Sequence, residues 1–294
     1  MIKEVLPLKY GVVFKKAFGK VEVFKAFVKD VLGIELEIDE VQQEYEYPQT
    51  LGEVRTKYDL FAEDSKNRTI VEIQHIKEDD FYDRFLYYEI LGIAEQIIKS
   101  ADYSISKTVY SIIVLTSLPR DKSIYFSTGI VDFDVLIQDQ DKFGQKAGIY
   151  EHKLVFLNPK LVSAQTPALI RPWLELIEDS LDSRIDSDVY TAPIFQKIIT
   201  EIRLDRLSID ERTRLKDEAV WDKTKRNAFE EGVVQGEAKG RAEGKAEGRA
   251  EGKAEGEAEG RAKVAQNMLR LGIALNQIAQ ATGLSIEEIQ KLSL

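Results

Sequence analysis

The sequence predicts an α/β layer fold built on a mixed sheet, followed by an all-α C-terminal extension. Three observations carry that expectation. Short β-branched and aromatic runs alternate with long amphipathic patterns over the first 160 residues, helical periodicity alone continues from residue 166, and glycine recurs at every fourth position from Gly232 to Gly260.

The elements follow in order. Residues 12–33, VVFKKAFGKVEVFKAFVKDVLG, set Val13, Phe14, Ala17, Phe18, Val21, Phe24, Phe27, Val28 and Leu32 at helical spacing and predict one amphipathic helix ending on Gly33. Residues 34–47 alternate only weakly. RTKYDLFAED (55–64) reads as a strand, SKNR as a turn and TIVEIQHI (69–76) as a second strand, together a hairpin. Residues 79–100 open with acids suited to a helix N-terminus and predict a long helix. The stretches 108–118, 130–137 and 149–158 are β-branched and aromatic, hence strands. This order implies a layered domain over residues 1–160, then a helical extension over 161–231. In the extension Trp173, Leu174, Leu176, Ile177 and Leu181 form one apolar face, and Ile194, Ile198, Ile199, Ile202 and Leu207 another.

Residues 232–263 form a glycine, alanine, glutamate and lysine repeat. A four-residue step advances 400° on a helix, so each residue class winds slowly as a stripe. Glutamates 243, 247, 251 and 255 make one stripe, and Arg241, Lys245, Arg249 and Lys253 another on roughly the opposite side. Pairs four apart within a stripe are like-charged, and each glycine costs roughly 1 kcal/mol relative to alanine. The tract is either a semi-flexible spacer helix, which its composition favours, or a helix pairing with a second copy of the chain, the one homo-oligomer contact the sequence suggests. Residues 264–294 carry a helix-turn-helix-like pattern, with the turn Thr282-Gly283-Leu284 and Ser285 as N-cap before Ile286, Glu288 and Ile289. Glu287, Glu288, Gln290 and Lys291 make a poor base-reading face, which favours a small helical or self-association module.

Composition narrows the chemistry. Of the 294 residues 44% are hydrophobic, cysteine is absent and the only histidines are His75 and His152, so thiolate zinc sites and cysteine nucleophiles are excluded and any metal is held by oxygen. No apolar run approaches the roughly 20 residues of a membrane span, and the N-terminus lacks a leader's apolar segment, so no membrane partner and a cytoplasmic location are expected. The net charge of −10 opposes broad adhesion to nucleic acid, although Lys9, Lys15, Lys16, Lys20, Lys25 and Lys29 face only Glu22 among acids in their stretch. Those lysines are either a local basic patch or a solvated helix face.

Period-two geometry places Lys57, Asp59 and Phe61 on one face of the first hairpin strand and Glu72 with Gln74 on one face of the second. Asp59 and Glu72 stand in otherwise apolar strands. Buried carboxylates are costly unless paired or bound to a cation, and two together favour a divalent ion such as Mg²⁺, with Mn²⁺ as the other candidate. Such an ion suits phosphodiester hydrolysis. The bland alternative is a solvated sheet face with Asp59 and Glu72 paired to Lys57 or Arg84, and the spacing alone does not exclude it. His75 falls on the face opposite Glu72 and reads as a packed or surface residue rather than a ligand.

The blocks YGVVFKKAFG (10–19), KYDLFAED (57–64), TIVEIQH (69–75) and DRFLYYEILGIAEQI (83–97), in this order over about the first 160 residues, resemble the PD-(D/E)XK nuclease family transposases, or recombination-promoting nuclease (Rpn) family. The resemblance implies a restriction-endonuclease-like fold, Mg²⁺-dependent DNA cleavage and a role in recombination or mobile-element biology. It makes Asp59 the motif aspartate, Glu72 the second acid and Gln74 the position where many relatives carry lysine. Asp59 and Glu72 are then the expected metal ligands, Gln74 orients water or phosphate, and Lys57 supplies the charge that Gln74 lacks. DNA contacts are expected from Lys15 and Lys16, and from Arg84 and Tyr88, which could also simply support the hairpin. One departure stands out: the family pattern commonly has an aspartate three residues before the phenylalanine, and this chain has Gly11 there.

Overall fold

The computed structural model describes residues 1–46, 56–75, 81–97, 105–118, 130–134, 138–140, 146–148 and 151–292. Residues 55, 76, 79–80, 98–100, 135–137 and 149–150 of the expected helices and strands lie outside these. The chain divides into two units, residues 1–222 and 223–294.

The first unit opens with strand β1 (Ile2–Glu4) and helices α1 (Gly11–Phe18) and α2 (Val21–Leu32). The sequence predicts one helix here, and the structure breaks it at Gly19. A Cβ on Gly19 would lie 2.4 Å from the Lys15 carbonyl and 2.6 Å from Gln43 Nε2. The Lys15 carbonyl still accepts from the Gly19 N–H at 2.9 Å, and Gln43 of the neighbouring strand donates to it as well at 3.3 Å, filling the space beside Gly19, while Lys20 turns to an extended ψ of 129°. Gly33 closes α2 in the left-handed conformation, φ 73°, as a C-terminal glycine does.

Strands β2 (Gln42–Glu46), β3 (Lys57–Glu63) and β4 (Asn67–Gln74) run antiparallel. Helix α3 (Phe81–Ala94) then crosses to β5 (Thr108–Leu115), parallel to β4. Strands β6 (Ile130–Asp134), β7 (Gln138–Gln140), β8 (Lys146–Gly148) and β9 (Lys153–Leu157) follow, β7 pairing antiparallel with β8. Among the described residues the main sheet has six strands in the order β2-β3-β4-β5-β9-β6, parallel across β4-β5-β9 and antiparallel at both edges. It is the mixed sheet the sequence predicts.

Its two faces bury different helices. Leu60, Ala62, Val71, Ile73, Ile112, Val114, Val155 and Leu157 pack with α1 and α2. On the other face Tyr58, Phe61, Ile70 and Val109 pack with Leu91 of α3, and Ile113, Leu154 and Phe156 pack with its Phe85. Helices α4 (Arg171–Ser180) and α5 (Pro193–Glu201) bury Trp173, Leu174, Leu176, Ile177, Ile198 and Ile199 in the α1/α2 core, so the helical extension completes that core. Strand β10 (Arg184–Asp186) pairs with β1, a contact between three-residue strands too short to leave a periodic signal.

Helix α6 (Ile209–Arg270) starts in the first unit and runs through the glycine repeat. The like-charged neighbours expected along this tract occur only within the stripes. Where a residue class changes sign, opposite charges lie four apart: Arg241 with Glu237, Lys239 with Glu243, Lys253 and Arg261 with Glu257, and Lys263 with Glu259. Exposed pairs of this kind contribute only about 0.3–0.5 kcal/mol each. In the second unit Ala265 of α6 packs with Ile278 of α7 (Leu275–Thr282) and Ile289 of α8 (Ile286–Lys291). Gly283 turns the chain at φ 71°, and Ser285 and Glu288 form a capping box.

Candidate active site at a fork in the sheet

The β3–β4 ladder ends at Leu60–Val71, and the next step is made by side chains. Glu72 Oε1 accepts from the Asp59 backbone N–H at 2.9 Å, and Asp59 Oδ2 accepts from the Ile73 N–H at 3.2 Å. Two carboxylates thus replace ladder carbonyls and hold the strands apart. The β2–β3 ladder also skips this level, pairing Gln43 with Leu60 and Tyr45 with Tyr58, and Glu44 opposite takes φ 55°. A non-glycine residue in that region marks local strain of about 1–3 kcal/mol, which gathers at functional sites. The distortion corrects the period-two expectation for β3. Phe61 packs with Tyr58 on the α3 side, while Leu60 packs on the α1 side, so Phe61 does not share a face with Asp59 and Lys57.

The electrostatics follow from burial. Glu72 is 7% exposed, and its carboxyl is raised well above the ordinary range, first by burial and then by the Asp59 charge, with which it is in hydrogen-bond contact; the Asp59 N–H and Arg84 oppose the rise. Lys15, on α1, has its Nζ 3.5 Å from Asp59 Oδ1 and 2.9 Å from Glu44 Oε1. Burial would lower the Lys15 ammonium, but Asp59, Glu44 and Glu218 outweigh it and hold it above its ordinary value. Glu44, held by Lys57 and Lys15, is lowered to about 2.

The residues named from sequence distribute as follows. Asp59 and Glu72 come together at the fork. Lys57 Nζ sits 2.8 Å from Glu44 and is exposed, so the cation the structure sets against Asp59 is Lys15. The sequence places Lys57 on the right face, but Glu44 takes its charge. Gln74 accepts from Arg84 at 2.8 Å, and the Tyr88 carbonyl accepts from Tyr58 at 3.0 Å, so α3 supports the hairpin through both residues. Lys16 binds both oxygens of Glu211 at 2.9 Å and Lys9 binds Asp222 at 2.8 Å, so acids of α6 offset much of the lysine-rich stretch. His75 packs beside Thr116, Lys9 and Asp222 rather than at the fork. Sequence reasoning missed Glu44 and Glu218, since neither belongs to a motif and only pairing across the fold brings them in.

The fork sets two acids at the separating ends of antiparallel strands, beside the parallel crossover of an α/β sheet. The profile of the PD-(D/E)XK nuclease family transposases matches residues 9–228, and that of the Rpn/YhgA-like nuclease family C-terminal HTH domain matches residues 258–294. The chain belongs to the PD-(D/E)XK nuclease family transposases, with the restriction-endonuclease-like fold and helical extension that membership implies. The match continues past residue 160, through α4, α5 and the start of α6. The C-terminal block, where the sequence shows a helix-turn-helix-like pattern, is the part that matches the HTH domain model. No curated protein and no solved structure matches the chain. Among the described residues no helix is long and apolar enough to cross a membrane.

Proposed function

We propose that the chain is a Mg²⁺-dependent DNA endonuclease, with Mn²⁺ as a substitute ion, in which Asp59 and Glu72 hold the metal. The observation that carries this reading is the fork itself: Glu72 is buried against Asp59, and that burial, with Asp59's charge, raises its carboxyl well above the ordinary range. A dication is the natural counter-charge for such a pair. Among the described residues no three histidines, aspartates or glutamates are placed to hold an ion by themselves. Two carboxylates with the remaining positions left to water or phosphate oxygen is the pattern Mg²⁺ favours. When bound, the ion would activate a water for attack and offset charge on the phosphate.

The chain's own groups have separate tasks. Asp59 and Glu72 orient their oxygens through the Ile73 and Asp59 N–H groups, and Lys15 offers positive charge beside Asp59, a task the sequence alone assigns to Lys57. Gln74 is held by Arg84 and orients water or the scissile phosphate. Lys16, next to Lys15 on α1, and Arg84 and Tyr88 of α3 remain the proposed DNA contacts, with the helix-turn-helix domain supplying further DNA affinity. A cytoplasmic place and a role in recombination belong to the same proposal, as does the division of the chain into a nuclease domain, a helical extension, a spacer helix and a C-terminal module.

Metal removal tests it. Duplex DNA should be cut in Mg²⁺, left intact with a chelator and cut again when Mg²⁺ is restored; cutting that survives the chelator overturns the metal assignment. Lys15→Met should lower cleavage about 10²-fold, the usual consequence of removing one fixed positive group, without weakening metal binding. Equal losses in both would make Lys15 a structural support instead. A second reading, a non-catalytic DNA-binding or oligomerisation module, draws on the neutralisation of Lys9 and Lys16 by α6. Specific DNA binding without cleavage in Mg²⁺ or Mn²⁺ would favour it.

A further inference from the structure

Glu218 belongs to none of the motifs, yet helix α6 delivers its carboxylate to the entrance of α1. Its Oε1 accepts from the Val12 N–H at 3.1 Å across a sequence separation of 206, and the Gly11 N–H also donates to it. A Cβ built on Gly11 would lie 3.6 and 3.8 Å from the two Glu218 oxygens and 3.9 Å from Asp59 Oδ1. The Glu218 and Asp59 carboxylates therefore flank one point in space, and that point is open because residue 11 has no side chain. Lys15 carries charge interactions with both.

Helix capping accounts for part of this. Helix α1 has no acid in its first turn and its N-cap, Tyr10, makes no side-chain cap, so free N–H groups need an acceptor. Capping alone does not explain the neighbour. Burial raises Glu218's pKa and Asp59's charge adds to the rise, although a cap supplied by a serine or asparagine at the entrance of α1 would avoid both effects. Two carboxylates brought within 4 Å of one open point are the arrangement of a site that expects a cation.

We propose that Glu218 is a third acid of the catalytic centre, entering from α6 through the space left by Gly11, and that it acts on the ion held by Asp59 and Glu72 by accepting hydrogen bonds from the ion's bound water. The indirect role follows from the absence, among the described residues, of three acids placed to hold an ion together, and from the waters that Mg²⁺ retains. Glu218 is a positioning residue in this scheme. The inference rests on the metal-dependent reading above.

Calorimetric titration of Mn²⁺ alone into the full chain tests it, with the melting temperature followed in parallel. Glu218→Gln keeps the size of the side chain and an oxygen for the Val12 N–H, and should weaken Mn²⁺ binding about 10-fold, as loss of an outer-shell partner does. Adding Gly11→Asp to that variant should restore most of the affinity, because the new carboxylate enters the same space from the other side. Gly11→Asp alone should give no gain, since two carboxylates then compete for one position. A lower melting temperature with unchanged affinity in Glu218→Gln would make Glu218 a helix cap only and overturn the proposal, as would failure of Gly11→Asp to restore binding. Asp59→Asn separates this from the underlying reading. If Mn²⁺ binds that variant undiminished, the metal site itself is wrong; if Asp59→Asn loses binding while Glu218→Gln does not, only the role of Glu218 falls.

Discussion

Asp59→Asn is expected to reduce DNA cleavage by about 10³-fold or more, the scale on which loss of a central catalytic group is felt, and to leave the metal-free protein at least as stable as the parent. The two effects come from one change. Asparagine keeps an oxygen for the Ile73 N–H, so the fork retains its side-chain bridge. It removes one of the two negative charges that would balance a cation, and with it the charge that, after burial, raises the Glu72 carboxyl. Functional sites commonly keep such repulsion at a cost to stability. Glu72→Gln should behave alike, since its amide oxygen can still accept from the Asp59 N–H. Cleavage rates in Mg²⁺ and denaturant midpoints with chelator measure both sides. Activity within tenfold of the parent in either variant would remove these residues from the chemistry.

The second large effect is on stability and lies away from the fork. Glu89 of α3 is fully buried, receives the Ser111 hydroxyl hydrogen bond on Oε2 and has no hydrogen-bond partner at Oε1 among the described residues. Burial raises it from the ordinary 4.5 to about 8. Below the ordinary value both folded and unfolded chains hold the proton and there is no penalty. As pH rises through the interval, the unfolded chain releases the proton while the folded chain retains it, so stability falls, and the fall levels off above about 8. The full difference corresponds to about 5 kcal/mol. Glu89→Gln cannot titrate and keeps an acceptor for Ser111. Between pH 5.5 and 8 the parent should lose about 3 kcal/mol more than this variant. Glu72 titrates in both proteins, so the comparison isolates Glu89; parallel stability profiles would show that the folded state ionises Glu89 at its ordinary pH.

The elements were legible where period and composition agree. Strands β3, β4, β5 and β9 and helix α3 were expected close to where they fall, because each carries a run of β-branched or helical spacing long enough to outvote its neighbours. The helix predicted over residues 12–33 breaks after Gly19, where Lys20 takes an extended ψ of 129° and Gln43, a residue of another strand, occupies the space a side chain at position 19 would need. The face of Phe61 was misplaced for a related reason. Strict alternation assumes a regular ladder, and the ladder stops where the Asp59 and Glu72 carboxylates take over its hydrogen bonds.

By itself the sequence determined the α/β core, the helical extension, the repeat of α6 and the pairing of Asp59 with Glu72, because these rest on local spacing and on a family pattern carried in four short blocks. Only the tertiary structure decided which charges stand beside that pair. Glu44 engages Lys57, Lys15 turns to Asp59, and Glu218 arrives from a helix some two hundred residues away to lie over Gly11. Charge partners are chosen by proximity after folding, and a backbone glycine advertises only that something else fills its space.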